Sequence, residues 1–313
     1  MLEPVSASTS AVIPGVAAPR AAILTPRVQL ILALAAVYVI WGSTYLAMRW
    51  AVAGIPPLFM GAARFLIAGA VLMTVARVRG VPMPTAREWR GATIVGGLFF
   101  LGGNGLVAIA ERDLGSGVAA VVCATMPVWL AVMTSISGER PRPLEWLGLG
   151  LGLAGVVVLT SGADVRAAPL ATAVLVGSPI AWALGSFLSR KVALPRGVAS
   201  SGAQMLAGGA LLAVAGIAHG ERIPSAPPTS ALLAVVYLIV AGSLIGFTAF
   251  AWLLRNARPA VATSYAFVNP ALALVLGAVL GAEAIGPATI AGTALIIVAV
   301  AVIVLAPRRA PKA

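Results

Sequence analysis

Ala124-Thr125-Met126-Pro127-Val128-Trp129 lies in the middle of an apolar run from about Ser116 to Ile136, and Phe267-Val268-Asn269-Pro270-Ala271-Leu272 lies in the middle of another. The two prolines are 143 residues apart. A proline inside a membrane-spanning helix removes a backbone hydrogen bond and kinks the helix. It is tolerated only where neighbours, polar side chains or water serve the freed carbonyl. Two such prolines at matching places in two halves of one chain point to a duplicated membrane protein.

The composition agrees. Of 313 residues 60% are hydrophobic and 10% charged, with a mean hydropathy of +1.03, whereas a soluble domain carries roughly 25% charged residues. The 34 glycines and 22 prolines fall mostly in or beside apolar runs, where small residues let helices approach closely. A net charge of +12 would suit nucleic acid. The arginines, however, sit in short loops between apolar segments, as the positive-inside rule requires, so the expected partner is the lipid bilayer and not nucleic acid. The single cysteine, Cys123, excludes an intramolecular disulfide, and with one histidine, His219, there is no His/Cys metal cluster. No metal and no cofactor are expected. In residues 1–27 the basic Arg20 and Arg27 come immediately before the first long apolar run, the wrong order for a cleaved signal peptide, so this stretch reads as a disordered cytoplasmic tail.

Ten segments are long and apolar enough to span, since ~20 residues cross a bilayer core. Their limits are about 28–49, 57–77, 91–111, 116–136, 144–161, 169–190, 198–219, 229–254, 260–281 and 286–306, followed by a basic tail, 307–313. With the N-terminus cytoplasmic, the inside segments hold sixteen basic residues, among them Arg140, Arg142, Arg190, Arg255 and Arg258, and the outside segments hold only Arg49, Arg112, Arg166 and Arg222. This bias puts both termini in the cytoplasm.

The duplication extends beyond the prolines. Residues 63–72 align with 203–212 at a shift of 140 with five identities in ten; Trp41 and Arg49 align with Trp182 and Arg190 at 141, and Gly103, Arg112 and Pro127 with Gly246, Arg255 and Pro270 at 143. Two repeats, 28–161 and 169–306, therefore hold five helices each. An odd number makes the second repeat enter the membrane from the opposite side, giving the inverted repeat of many secondary transporters, whose substrate site lies near the midplane between repeats. The expected fold is thus an all-α integral membrane protein of ten transmembrane helices in two inverted five-helix repeats around a central cavity. A monomer is compatible with this plan, which leaves the oligomeric state open.

Trp41-Gly42-Ser43-Thr44-Tyr45, Arg64 to Gly69, Gly102-Gly103-Asn104-Gly105-Leu106-Val107-Ala108-Ile109-Ala110-Glu111, and the Gly-Glu and Ala-Glu pairs at 138–139 and 282–283 resemble the EamA family of the drug/metabolite transporter superfamily, most of all its YedA-like exporters. The likeness covers about residues 28–306. It implies two inverted EamA repeats in a bacterial inner membrane, and export of small metabolites such as amino acids, related compounds or drugs. In the family, helices 1, 3, 4, 6, 8 and 9 surround the cavity and helices 5 and 10 are peripheral.

The repeat supplies a filter for site residues: what recurs in both halves maintains the shared scaffold, and what occurs in one half needs a local explanation. Glu139 and Glu283 recur before outer helices and read as helix-end carboxylates. Pro127 and Pro270 recur as hinges or cavity-shaping kinks. The asymmetric residues are Asn104 (Phe247 in the other half), Asn269 (Met126), Tyr265 (Val122) and Tyr45 (Ser186). With Trp41, Ser43, Thr125, Met126, Trp129, Trp182 and Ser186 they are the candidates for lining a substrate cavity. Each has a plainer role open to it, an interhelical hydrogen bond for the asparagines and packing or interface anchoring for the aromatics. Arg64, about seven residues into the second segment, is expected to snorkel or to pair with Glu111 or Asp113 in preference to direct substrate contact, and Gln204 at the matching place favours architecture. Of the nine acids only Glu111 could reach the cavity, which favours uncoupled facilitation or exchange over proton antiport. A membrane enzyme would need an acid, base, nucleophile or metal cluster that the chain lacks, and no phosphate-binding loop is present for a primary pump. A receptor or assembly subunit is the remaining alternative to transport of a small molecule.

Overall fold

The structure, a computed structural model, describes residues 25–114, 119, 122–159, 169–223, 226–281 and 287–306, and every regular element among them is a helix. In chain order these are α1 (Pro26–Val52), α2 (Pro57–Val78), α3 (Ala86–Ala110), α4 (Met126–Ile136), α5 (Pro143–Leu159), α6 (Pro169–Leu188), α7 (Val198–Ala218), α8 (Thr229–Asn256), α9 (Pro259–Thr263), α10 (Tyr265–Gly281) and α11 (Pro287–Leu305). Several start where a proline needs no backbone donor, as at Pro26 and Pro57. The first turns are closed by local chemistry. Thr85 and Glu88 form a reciprocal capping box at α3. At α2 the free N–H groups of Leu58 and Phe59 donate to Glu221, 3.1 and 2.9 Å away in the loop after α7.

Six helices, α1, α2, α3, α6, α7 and α8, are long and apolar enough to cross a membrane. Ten full spans are not seen among the described residues: the fifth and tenth segments, α5 and α11, give shorter apolar helices there, and the fourth and ninth are broken. The fourth restarts at Met126 after a turn at Ala124–Thr125, so α4 has 11 residues and covers ~16 Å at 1.5 Å per residue. The ninth is divided at Ser264 into α9 and α10. Pro127 consequently stands in the first turn of α4 and kinks no continuous helix there, whereas Pro270 is inside α10 as expected. A third proline, Pro179, is inside α6. The chain termini, Asp164, Arg166 and Glu283 lie outside the described residues.

Packing between helices is reciprocal. The closest partnerships are α2 with α7 and α5 with α11; α1 lies on α10 as α6 lies on α4, and α6 lies on α3 as α1 lies on α8. Small residues make the close contacts. Gly69 faces the Leu206 backbone across α2–α7, and Gly148 and Gly155 face Ile303 and Ile296 across α5–α11. In α3 and α8 the helix widens to π geometry over Gly97–Gly105 and Leu238–Phe247. These two segments occupy matching places in the two halves of the chain and both face its centre.

Candidate functional site

In each π segment one carbonyl accepts a hydrogen bond from a donor in the other half of the chain. The Trp41 indole N–H of α1 donates to Gly242 O in α8 (3.0 Å), and the Ser178 hydroxyl of α6 donates to Gly103 O in α3 (3.0 Å). The tryptophans find room because glycine lies opposite. A Cβ at Gly246 would meet the Trp41 indole, and one at Gly103 would meet the Trp182 ring. The paired recurrence of Trp41 with Trp182 and of Gly103 with Gly246 thus has one cause, a tryptophan laid on a widened helix of the opposite half. The two rings meet edge to face, with centroids 5.6 Å apart.

Around this crossing lies a central cavity of about 90 Å³. Helices α1, α2, α3, α4, α6, α8 and α10 line it, and α5, α7 and α11 do not. Eight residues singled out from the sequence contribute: Trp41, Tyr45, Arg64, Asn104, Met126, Trp182, Tyr265 and Asn269. Asn104 half turns back on its own π segment, donating from Nδ2 to Phe99 O at 3.2 Å. Asn269 is buried, and its Oδ1 has no hydrogen-bond partner among the described residues. The Trp182 indole N–H is also without one.

Five expected positions fall elsewhere. Ser43 bonds back to Val39 O and Ile40 O and across to the Tyr237 hydroxyl, on the outer side of α1. Thr125 spends its hydroxyl on Val122 O at the α4 break. Trp129 is exposed, because α4 turns Met126, Pro127 and Leu130 inward. Ser186 is buried with its hydroxyl on Trp182 O, a short side chain where Tyr45 reaches the cavity in the other half. Glu111 is buried behind the cavity wall, and both carboxylate oxygens lack a hydrogen-bond partner among the described residues. Arg49 is the charged group that acts on it electrostatically among the described residues.

Arg64 corrects the expectation of an acidic partner. Its Nε donates to the Ser243 hydroxyl at 2.8 Å, and its guanidinium carbon lies 4.7 Å from the Phe65 ring centre. No ion pair involves it among the described residues, and Glu111 is not in contact with it. The reason is geometric: α2 presents Arg64 to the π segment of α8, while Glu111 ends α3 beside α1.

The sequence reading missed Thr44, Met48, Phe65, Phe100, Cys123 and Ser178 in the lining, and also Pro179 and Phe247. Pro179 could have been found as a proline within an apolar run. The phenylalanines could not, since burial in a ring cluster and exposure to lipid leave the same mark in composition.

A second, larger depression of about 710 Å³ opens at the arginine-rich end, bounded by one face of α4, the last turn of α8, the α4–α5 loop and the start of α9. Arg140, Arg142, Arg190, Arg255 and Arg258 surround it with only Glu139 and Glu145. Arg258 pairs with Glu145 at 2.6 Å and also donates to Ile303 O, and Arg190 pairs with Glu139 at 3.4 Å. Consecutive residues link the two hollows, Met126 lining the cavity and Pro127 the depression. On the opposite wall the break at Ser264, hydrogen-bonded to the Tyr38 hydroxyl at 2.6 Å, stands between them.

Comparison with known proteins agrees with this architecture. Residues 28–161 and 170–305 each match the EamA-like transporter family. The chain is 41% identical over 275 residues to the uncharacterized inner membrane transporter YedA of Escherichia coli (strain K12), covering 87% of this chain and 90% of that protein. It is 26% identical to the protein PecM of Dickeya dadantii (strain 3937), over 84% of this chain and 88% of that one. A crystal structure of a protein 26% identical in sequence superposes with a TM-score of 0.71, covering 88% of this chain and 96% of the other.

Proposed function

The chain belongs to the EamA-like transporter family, a premise from which we propose that this membrane transporter exports small metabolites across the inner membrane by alternating access, as a facilitator or exchanger. Amino acids, related compounds and drugs are the candidate cargo. The observation that carries the reading is a cavity whose walls come from both family-matched halves, with each half's π segment bonded to a helix of the other. The reciprocal packing supports two inverted repeats. Ten spans then follow if the broken fourth and ninth segments and the shorter α5 and α11 each complete a crossing. The clustering of arginines from three connections around one depression supports a cytoplasmic face there, with both termini on that side. Rocking of one repeat against the other would open the cavity to each side in turn, with the breaks at Thr125 and Ser264 and the prolines 127 and 270 absorbing the motion.

A metabolite-efflux and toxicity-rescue screen in cells expressing the chain, repeated in proteoliposomes, tests this. Efflux of a defined compound that falls in Asn104→Ala or Asn269→Ala at normal membrane abundance is the expected result. Absence of flux in proteoliposomes for every compound that binds would refute transport in favour of a receptor. A second reading, proton-coupled antiport, is favoured by Glu111, a buried carboxylate without a hydrogen-bond partner among the described residues. Flux driven by an imposed pH gradient and lost in Glu111→Gln would decide for it.

A further inference from the structure

We propose that Arg64 holds a carboxylate of the transported molecule, so that the substrates are small organic acids or zwitterions with an apolar body. This rests on the transport reading above and names its substrate class. Arg64 is 5% exposed and lines the cavity. A guanidinium cannot shed its charge, and a buried charge calls for an opposite one. The protein provides none among the described residues: Ser243 takes Nε and fixes the plane of the fork, leaving its terminal donors toward the cavity. A planar fork held in this way matches a carboxylate.

The other half of the chain acts as an internal control. Gln204 stands at the place matching Arg64, is equally buried, bonds within its own helix to the Ser200 hydroxyl at 2.9 Å, and does not line the cavity. The scaffold is therefore satisfied by a neutral side chain, and the charge at 64 answers to something other than the fold.

Two independent observations point the same way. In the arginine-rich depression Arg190 and Arg258 are consumed by Glu139 and Glu145, which leaves Arg140, Arg142 and Arg255 to give a positive field that concentrates anions beside the cavity. In the cavity itself, the partnerless Asn269 Oδ1 offers an acceptor for a hydroxyl or ammonium group on the same molecule. The aromatic rings of Trp41, Phe65, Trp182 and Tyr265 would enclose the apolar body.

The test uses full-length protein and matched probes that differ only in the end group: phenylacetate against phenylacetamide and benzylamine, and isovalerate against isovaleramide and isobutylamine. Binding is measured with labelled probes in detergent and flux in proteoliposomes. The acids should bind at least about tenfold more tightly than the amides or amines, and uptake of the acids should fall with added salt. Arg64→Gln should abolish the preference while leaving amide binding in place, Arg64→Lys should keep part of it, and Ser243→Ala, which frees the fork, should reduce it several-fold. If Arg64→Gln does not insert, the lysine and serine variants carry the test. Failure of every acid to bind, equal binding of acids and amides by the wild-type protein, or an unchanged preference in Arg64→Gln and Ser243→Ala would overturn the proposal. An acid preference in binding with no flux would uphold the anchor and refute transport, whereas flux without acid preference would do the reverse.

Discussion

Replacing Trp41 by phenylalanine, with Trp182→Phe as its mirror image, separates the two tryptophans that their recurrence makes look alike. Both changes remove the same indole from the same crossing, so the loss of ring area is shared by the two. They differ in the N–H. That of Trp41 donates to Gly242 O at 3.0 Å in a buried π segment, and that of Trp182 donates to nothing among the described residues. Loss of a hydrogen bond of this kind costs ~0.5–1.5 kcal/mol net, and an orphaned buried carbonyl raises this toward ~1–3. Measured interhelical bonds in membranes average nearer ~0.6 kcal/mol, so a difference of about 1–2 kcal/mol between the variants is expected, with Trp41→Phe the less stable. Unfolding in detergent micelles, followed by far-UV circular dichroism, gives the number. Equal destabilisation of the two variants would refute the account of π-segment carbonyls served across the halves.

Arg258→Ala should destabilise by about 2–3 kcal/mol in the same assay, somewhat below the ~3–5 of a fully buried pair, because it leaves Glu145 buried and unties α9 from the end of α11. Arg190→Ala, at an exposed 3.4 Å pair, should stay within about 0.5 kcal/mol. Glu221→Ala should cost about 1–2 kcal/mol by freeing two N–H groups at the start of α2, and loosened α2 amides in hydrogen exchange would mark the place. Gly103→Ala drives a methyl into the Trp182 ring and should cost about 1–3 kcal/mol while shrinking the cavity, so that binding of any ligand there weakens along with stability.

Sequence periodicity and charge placement made the membrane architecture legible because both follow from the bilayer itself. Apolar runs must span, and arginines must stay on one side. The recurrence of Trp41 with Trp182 and Gly103 with Gly246 was visible, but the contact that causes it was not, since helices α1 and α8 are 201 residues apart at the Trp41 bond. Asymmetry between the halves located Asn104, Asn269, Tyr45 and Tyr265 at the cavity. Thr125 and Trp129 fall elsewhere because which face of α4 turns inward depends on the break before it, and that break does not disturb composition. The surroundings of Arg64 were illegible for a related reason. Its alignment with Gln204 argued for architecture, and only the packing reveals that the two matched side chains go to different surroundings.

The π segments have one further consequence, for insertions and deletions. Widening to π geometry accommodates an additional residue in a helix whose two ends keep their places. Removing one residue from Gly97–Gly105 would let α3 return to ordinary pitch with both of its ends in place, so Val107 and Glu111 would keep their surroundings. What would change is the widened stretch itself: Asn104 would be re-aimed and the Gly103 carbonyl drawn back into its helix, away from the Ser178 hydroxyl. In this protein the selectivity of the site is written partly in residue count, and a one-codon deletion in α3 or α8 is a way to alter one patch of the cavity wall while the rest of the helix stays where it is.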